Sequence, residues 1–119
     1  MNFSDADLLE QLEASDAAQL EAANFGIIAM DAEGVVRAYN VYESKLSGLS
    51  VGRVIGNHFF TAVAPCTNNF MVAQRFEAEA TLDATIDYVF TLKMRPTPVK
   101  LRLLKAVGSR WQYLLVSRS

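Results

Sequence analysis

Near the start of the chain, hydrophobic residues recur at the spacing of a helix. Residues 4–22 carry an apolar stripe on an otherwise polar segment, a pattern typical of an amphipathic helix. The stripe consists of Leu8, Leu12, Ala18 and Leu20. Because the polar stretch at 14–17 interrupts it, we expect two short helices, with Ser4 as the N-cap of the first. The small side chains of this segment predict an N-terminal cap, residues 1–24, that is held weakly.

From Phe25 onward the pattern changes to that of strands. Segments rich in β-branched, aromatic and aliphatic residues predict strands at 25–31, 35–40, 85–95, 99–107 and 111–117. The sequence "AEG" between the first two predicts a hairpin turn. The prolines of "PTP" at 96–98 are expected to separate the third strand from the fourth, and "GSR" at 108–110 to turn the fourth into the fifth.

The segments between the two groups of strands favour helices. Residues 41–57 contain short helical pieces separated by glycines at 48, 52 and 56, and residues 69–80 predict a longer helix. This order predicts an α+β domain of the PAS architecture, with a five-stranded antiparallel sheet, flanking helices and an N-terminal helical cap. We expect the PAS core to span residues 25–119.

Composition narrows the function classes. The 119 residues carry a net charge of −2 and have a pI of about 5.3, so nucleic acid is not an expected partner. No stretch approaches the roughly 20 apolar residues that span a membrane, and the acidic start lacks the basic region of a secretory signal. We therefore expect a cytoplasmic protein with no membrane contact, present as a monomer or a weak dimer. One cysteine and one histidine make a poor metal site.

The single cysteine, Cys66, directly follows a proline in "VAPCT". A free cysteine is most often a small buried hydrophobic residue. A catalytic thiol needs a neighbouring base and an orienting third group. The one histidine, His58, is eight positions upstream, and no third group is evident. The pattern therefore argues against an enzyme.

Tyr39 and Glu43 are four residues apart where a strand gives way to a helical turn, so both side chains point to one side of that turn. A phenol and a buried carboxyl could both donate hydrogen bonds to one acceptor, because burial raises the pKa of a carboxyl and keeps it protonated. The alternative is a core Tyr39 with Glu43 on the surface, since glutamate is seldom fully buried. Tyr42 is a second candidate for the inward tyrosine. Ser47 followed by Gly48 indicates the end of the helix.

Taken together, these features resemble the photoactive yellow protein family, small PAS-fold receptors for blue light that carry a 4-hydroxycinnamoyl (p-coumaroyl) group as a cysteine thioester. The resemblance covers residues 25–119 well and the cap loosely. Its most specific element is "VIGNHFFTAVAPCT" at 54–67. The segments "FGIIAMDAEGVVRAYN" at 25–40 and "YVFTLKMRPTPVK" at 88–100 support it in order.

The resemblance implies a role for individual residues. Cys66 corresponds to the thioester cysteine and Tyr39 to the tyrosine that hydrogen-bonds the phenolate oxygen, which favours Tyr39 over Tyr42. Glu43 corresponds to the buried acid that shares this oxygen and donates a proton in the photocycle. The other chromophore contacts that it implies are Ser47, in place of a threonine, Phe59, Phe90 and Met94.

This chain also departs from the family. Leu49 stands where many members have an arginine that covers the phenolic end of the chromophore. His58 replaces an asparagine that ties the cap to the core, and the connection at 77–87 is shorter.

The function that the resemblance implies is blue-light reception with p-coumaric acid as the covalent cofactor. Trans-to-cis isomerisation and proton transfer from Glu43 would release the cap and signal to a separate, unknown downstream protein. The alternative is a PAS-type sensor module that binds another small ligand, with Cys66 merely buried.

Overall fold

The computed structural model describes residues 1–92 and 95–118, which form helices, tight helical turns and five strands. The helices are α1 (Leu8–Ala14), α2 (Ala17–Glu21), α3 (Val41–Ser47), α4 (Val51–Val54) and α5 (Ala73–Ala78). The strands are β1 (Gly26–Met30), β2 (Val36–Tyr39), β3 (Leu82–Leu92), β4 (Arg95–Lys105) and β5 (Gln112–Ser117). A π-helical turn, Phe59–Val63, and a 3-10 turn, Pro65–Thr67, precede α5.

The strands form one antiparallel sheet in the order β2-β1-β5-β4-β3. Gly34 lies in the turn between β1 and β2 with a φ of +86°, a conformation that glycine adopts without steric cost. β5 lies between β1 and β4, with Val116 opposite Gly26 of β1 and Leu101 of β4. The predicted α+β fold with a five-stranded antiparallel sheet is therefore confirmed.

The predicted break at 96–98 is wrong. Pro96 and Pro98 lie inside β4, which pairs with β3 along its whole length. Proline cannot donate a hydrogen bond to a neighbouring strand and is tolerated where a strand has an open edge. β5 pairs with β4 along Lys100–Leu104 and ends before it reaches the prolines. The outer edge of β4 is therefore open at this point, and the strand continues through both prolines.

Both faces of the sheet are hydrophobic, and successive side chains of β4 point alternately to one face and to the other. Leu101 and Leu103 belong to the main cluster, which packs under α4, the π-helical turn and α5. The buried residues of the main cluster are Ile28, Met30, Val36, Tyr39, Val54, Phe59, Phe60, Ala64, Val72, Ala73, Phe76, Leu82, Phe90, Val99, Leu101, Leu103, Leu114 and Val116. Arg102 and Leu104 face the cap, residues 1–24. The cap cluster consists of Leu8, Leu12, Leu20, Phe25, Ile27, Ala29, Leu104, Tyr113 and Leu115. The central strands therefore separate two hydrophobic cores.

The cap contains the two predicted helices, but its details differ. Asp7, not Ser4, is the N-cap of α1. Residues before Asp7 form a turn, because Asp5 N–H bonds to the Asn2 carbonyl. Ala18 is exposed, so the buried part of the predicted stripe is leucine only.

Polar contacts add to the burial of the cap. Arg102 of β4 is 6% exposed and donates to the carbonyl oxygens of Phe3 and Asp5 at 2.9 and 2.7 Å. Both oxygens of Asp83 accept from the same guanidinium at 3.0 Å. Glu13 accepts from the Tyr113 hydroxyl. The sequence analysis considered only the small side chains of the cap and did not predict these hydrogen bonds to the sheet.

The helices between the strand groups are shorter than expected. Gly52 lies inside α4 and not between helices. α5 begins only at Ala73, because the Asn69 side chain accepts the N–H groups of Met71 and Val72 and holds a turn there. Among the described residues, no helix is long and apolar enough to cross a membrane.

Candidate functional site

The polar residues of the candidate site come from β2 and α3. The Asn40 side chain caps α3 by accepting the Glu43 N–H, and Gly48 ends the helix with a φ of +78°. This short helix holds Glu43 and Ser47 one turn apart and buries both. Tyr39 at the end of β2 is buried too, whereas Tyr42 is half-buried. Glu43 therefore lies in the core and not on the surface.

Tyr39 is hydrogen-bonded within this group. Its hydroxyl lies 2.8 Å from the hydroxyl of Ser47. Burial raises the pKa of Tyr39 well above its ordinary value, and the Glu43 carboxyl adds to the rise. The phenol therefore stays protonated near neutral pH and can donate to an acceptor.

The carboxyl of Glu43 lies against β1 and is paired with an arginine from the end of β5. Arg118 donates from both terminal nitrogens, at 2.6 Å to Oε1 and 3.0 Å to Oε2. Gly26 makes room, because a Cβ at this position would lie 2.0 Å from Oε1. Burial raises the pKa of Glu43, and the Arg118 guanidinium opposes that rise. The sequence reasoning missed Arg118, since no local pattern connects residues 75 positions apart.

Cys66 lies in the 3-10 turn that follows the π-helical turn. Its side chain is half-buried and packs against the main cluster. Its carbonyl oxygen accepts from Asn69 Nδ2 at 3.2 Å and from the Tyr88 hydroxyl, which fixes the backbone at the thiol. His58 shares a hydrogen bond with Thr61 at 3.0 Å.

The aromatic residues of the prediction line the same interior. Phe59 and Phe90 are buried in the main cluster, which also contains Tyr39. Tyr88 meets Phe90 edge to face with 6.1 Å between ring centroids. Met94 lies outside the described residues.

A cleft of about 370 Å³ opens beside α3. Its lining includes Ser47 and Phe90 of the candidate site together with the cationic residues Lys45, Arg95 and Arg118. Among the described residues, no three His, Cys, Asp or Glu side chains gather as a metal site requires. The cleft thus meets the polar group at Ser47 and Arg118 and the aromatic interior at Phe90, and Cys66 packs against the same interior.

The polar residues of the site suit an aromatic ligand with a hydroxyl at one end. Tyr39 and Ser47 supply hydroxyls, and Glu43 a carboxyl that can hold or release a proton. Arg118 Nε is buried and, among the described residues, has no hydrogen-bond partner. An additional acceptor at this end of the site would find donors that the protein alone leaves incompletely used.

The fold and site define a PAS domain, a sensor-type module in which helices pack against an antiparallel sheet. The PAS domain of an HTR-like protein from Haloarcula marismortui matches 94% of this chain and 96% of that domain with a TM-score of 0.61. At 15% identity this likeness concerns the fold alone.

Two further comparisons identify the family. Photoactive yellow protein from Rhodothalassium salexigens is 34% identical over 121 residues, which span 99% of this chain and 97% of that protein. The photoactive yellow protein domain of the sensor histidine kinase Ppr from Rhodospirillum centenum is 38% identical, with a TM-score of 0.81 over 91% of this chain and 97% of that domain. No family model matches the sequence. The chain belongs to the photoactive yellow protein family, as the sequence resemblance indicated.

Proposed function

We propose that this protein is a blue-light photoreceptor that binds a 4-hydroxycinnamoyl group as a thioester on Cys66. One observation carries the proposal: the thiol side chain packs against the same buried cluster that contains Tyr39, Phe59 and Phe90. Glu43 and Ser47 adjoin this cluster at Tyr39. A tether, an aromatic lining and hydroxyl donors are thus available to one ligand, and membership of the family supports the assignment.

When bound, this group supplies absorption of visible light and a double bond that isomerises. Cys66 needs no neighbouring base for its part, because the thiol is acylated once and then holds its ligand. Phe59 and Phe90 exclude water from the ring of the ligand, and Met94 is proposed as a further contact. The hydrogen bonds to the Cys66 carbonyl keep the tether in place.

Tyr39 and Glu43 are proposed to hold the phenolic oxygen. A buried phenolate is costly unless it accepts hydrogen bonds. Each charge-assisted bond contributes about 1.5–3 kcal/mol. The Tyr39 hydroxyl can donate because its pKa is raised, and Glu43 can donate when its carboxyl is protonated. Glu43 is the proposed proton donor, which passes its carboxyl proton to the phenolic oxygen and keeps the negative charge.

The cap is the proposed output element. Residues 1–24 are proposed to act as a unit distinct from the core at 25–119. They meet the sheet through the cap cluster and the Arg102 and Glu13 anchors, and they meet the start of α3 through bonds from Asn40 to Leu20 and from Val41 to Glu21. A change of charge in the core would weaken these contacts and expose the sheet face beneath. The related domain in Ppr belongs to a sensor histidine kinase, so a signalling protein is the proposed partner of the exposed face.

Acylation of the purified, ligand-free protein tests the proposal. We expect p-coumaric anhydride to add one coumaroyl group per chain and to give a yellow product, whereas Cys66→Ser stays colourless. Tyr39→Phe should shift the visible band and the matched variant Tyr42→Phe should leave it in place. Glu43→Gln should shift it to longer wavelength, because the weaker donor leaves more negative charge on the ring. Colour that persists in Cys66→Ser, or an acylated protein without visible absorption, would favour a PAS module for another ligand.

A further inference from the structure

Arg118 is placed to control the charge of the candidate site, although it lies just beyond the sheet. It follows Ser117, the last residue of β5, and is two positions from Val116, which pairs with Gly26. Its side chain is 12% exposed and that of Glu43 is 0% exposed. The guanidinium and the carboxyl therefore form an ion pair that is almost entirely removed from water.

The geometry of the contact bears on the protonation state of Glu43. Arg118 directs one N–H donor at each carboxylate oxygen, at 2.6 and 3.0 Å. A protonated carboxyl has a hydroxyl on one oxygen, and that oxygen is a much weaker acceptor for the second nitrogen. A bidentate contact with arginine is the arrangement of an ionised carboxylate. The contact with Arg118 thus favours an anionic Glu43 in the protein by itself, against the rise in pKa that burial causes, whereas a hydrogen-bond donor to a phenolate must be the neutral acid.

We propose that Arg118 is the counter-ion of the site: it keeps Glu43 ionised in the ligand-free protein and neutralises the one negative charge of the site after the ligand binds. The second half of this statement rests on the proposed function. Glu43 and a bound phenol would share one proton between two acidic oxygens. In either arrangement one oxygen is negative, and Arg118 supplies one positive charge. Arg118 is a positioning residue, since it acts through Glu43.

The other charged and titratable groups near the pair support this role. Tyr39 on β2 stays neutral because burial raises its pKa. Tyr42 lies on α3 itself and is within electrostatic range of Arg118. Lys45 and Arg95 line the same cleft and are exposed to solvent, which screens their charge. The buried guanidinium is thus the positive charge in direct contact with the carboxyl.

This assignment changes the expected consequence of proton transfer. A carboxylate left alone in the core would destabilise the folded protein. Here Glu43 has a cation within 2.6 Å when it becomes negative. The transfer is therefore easier, and less of its energy remains to release the cap. Replacing Arg118 by a neutral residue should make each anionic form of the site harder to reach.

The test begins with the ligand-free protein, where no chromophore chemistry is involved. We would follow the carbonyl stretch of protonated Glu43 by infrared spectroscopy against pH, with Glu43→Gln to assign the band. In wild type the band should be absent at neutral pH. In Arg118→Met the proton-binding constant of Glu43 should rise by at least about tenfold, and Arg118→Lys should recover part of the difference. Arg53→Met, at an exposed position in α4, makes the same change of net charge and should match wild type.

Two results would overturn the proposal: a protonated Glu43 in the ligand-free wild type, or the same titration in wild type and Arg118→Met. If Arg118→Met does not fold, the Arg118→Lys titration and the wild-type band decide alone. A second arm uses p-coumaroyl-loaded protein and lowers the pH until the visible band of the phenolate is lost. The midpoint of this loss should lie at a higher pH in Arg118→Met than in wild type. If no yellow adduct forms in any variant, the proposed function fails while the ligand-free titration still decides the role of Arg118.

Discussion

Gly26→Ala tests the packing that holds the Glu43 carboxyl in place. The new Cβ would lie 2.0 Å from Oε1, 2.9 Å from Cδ and 3.2 Å from Cβ of Glu43, whereas ordinary contacts begin at 3.4 Å. The carboxyl must therefore move by more than about 1 Å. Oε1 is also the oxygen that Arg118 contacts at 2.6 Å. The substitution therefore overpacks the interior and breaks at least one bond of the ion pair.

The expected cost follows from these two effects. Overpacking a well-filled interior costs about 1–3 kcal/mol, and breaking a buried pair by removing one partner costs about 3–5 kcal/mol. Here both partners remain and Glu43 can take up a proton, so the second cost is only partly incurred. We expect a loss of about 2–4 kcal/mol, which lowers the Tm of a domain of this size by about 8–15 °C.

Urea unfolding followed by circular dichroism measures the effect. Gly52→Ala is the matched control, because among the described residues no atom lies within 4 Å of a Cβ there, and alanine in α4 should add up to about 1 kcal/mol. The same Gly26→Ala change in a Glu43→Ala background should cost much less, since the two nearest atoms, Oε1 and Cδ, are gone and only the Cβ contact at 3.2 Å remains. Equal costs in both backgrounds, or no loss in the first, would refute this account of why residue 26 is glycine.

Three further predictions concern the cap, the tyrosines and the cysteine turn. Arg102→Met should expose residues 3–5 to proteolysis and lower the free energy of unfolding by about 1–3 kcal/mol, because two carbonyls and Asp83 lose a buried donor. Lys100→Met is the control and should change little, because the pair of Lys100 with Asp87 is exposed. Burial raises the pKa of Tyr39 and Tyr113 above 10.0, so the folded protein keeps protons that the unfolded chain releases. The free energy of unfolding should therefore be constant in this respect below about pH 10 and fall above it, by up to about 1.4 kcal/mol per pH unit for each tyrosine. Unfolding at a series of pH values should show a shallower fall in Tyr113→Phe, and an unchanged slope would contradict the assignment. Asn69→Ala removes a donor to the Cys66 carbonyl and should increase the rate at which a thiol reagent labels Cys66; an unchanged rate would mean that Tyr88 alone holds the turn.

The parts of the structure that follow local rules could be predicted from the sequence. The hairpin glycine, the end of α3 at Gly48 and the two cap helices depend on backbone conformation and on spacing within a few residues. The break expected at Pro96 and Pro98 was wrong because its outcome depends on where β5 ends. Whether a proline interrupts a strand is decided by the neighbouring strand, which the local sequence does not reveal.

The candidate site divides in the same way. The spacing of Tyr39 and Glu43 indicated convergence, and both are buried on one side of the α3 start. The partner of Glu43 could not be foreseen, because Arg118 reaches it only after the sheet has brought β5 beside β1. The sequence reasoning therefore expected a neutral carboxyl with no cation nearby. Long-range pairing therefore sets the electrostatics around Glu43, which the spacing of residues along the chain could not reveal.

β4 connects the two hydrophobic cores, because its side chains reach both faces of the sheet. Leu101 and Leu103 touch the main cluster, while Arg102 between them holds the cap. Neighbouring Cα atoms are about 3.8 Å apart, so the lining of the interior and the anchor of the cap belong to one short piece of backbone. A small rotation of β4 about its own axis would swing both sets of side chains at once, in opposite directions. A change in the packing of the main cluster would then displace the cap on the opposite face of the sheet.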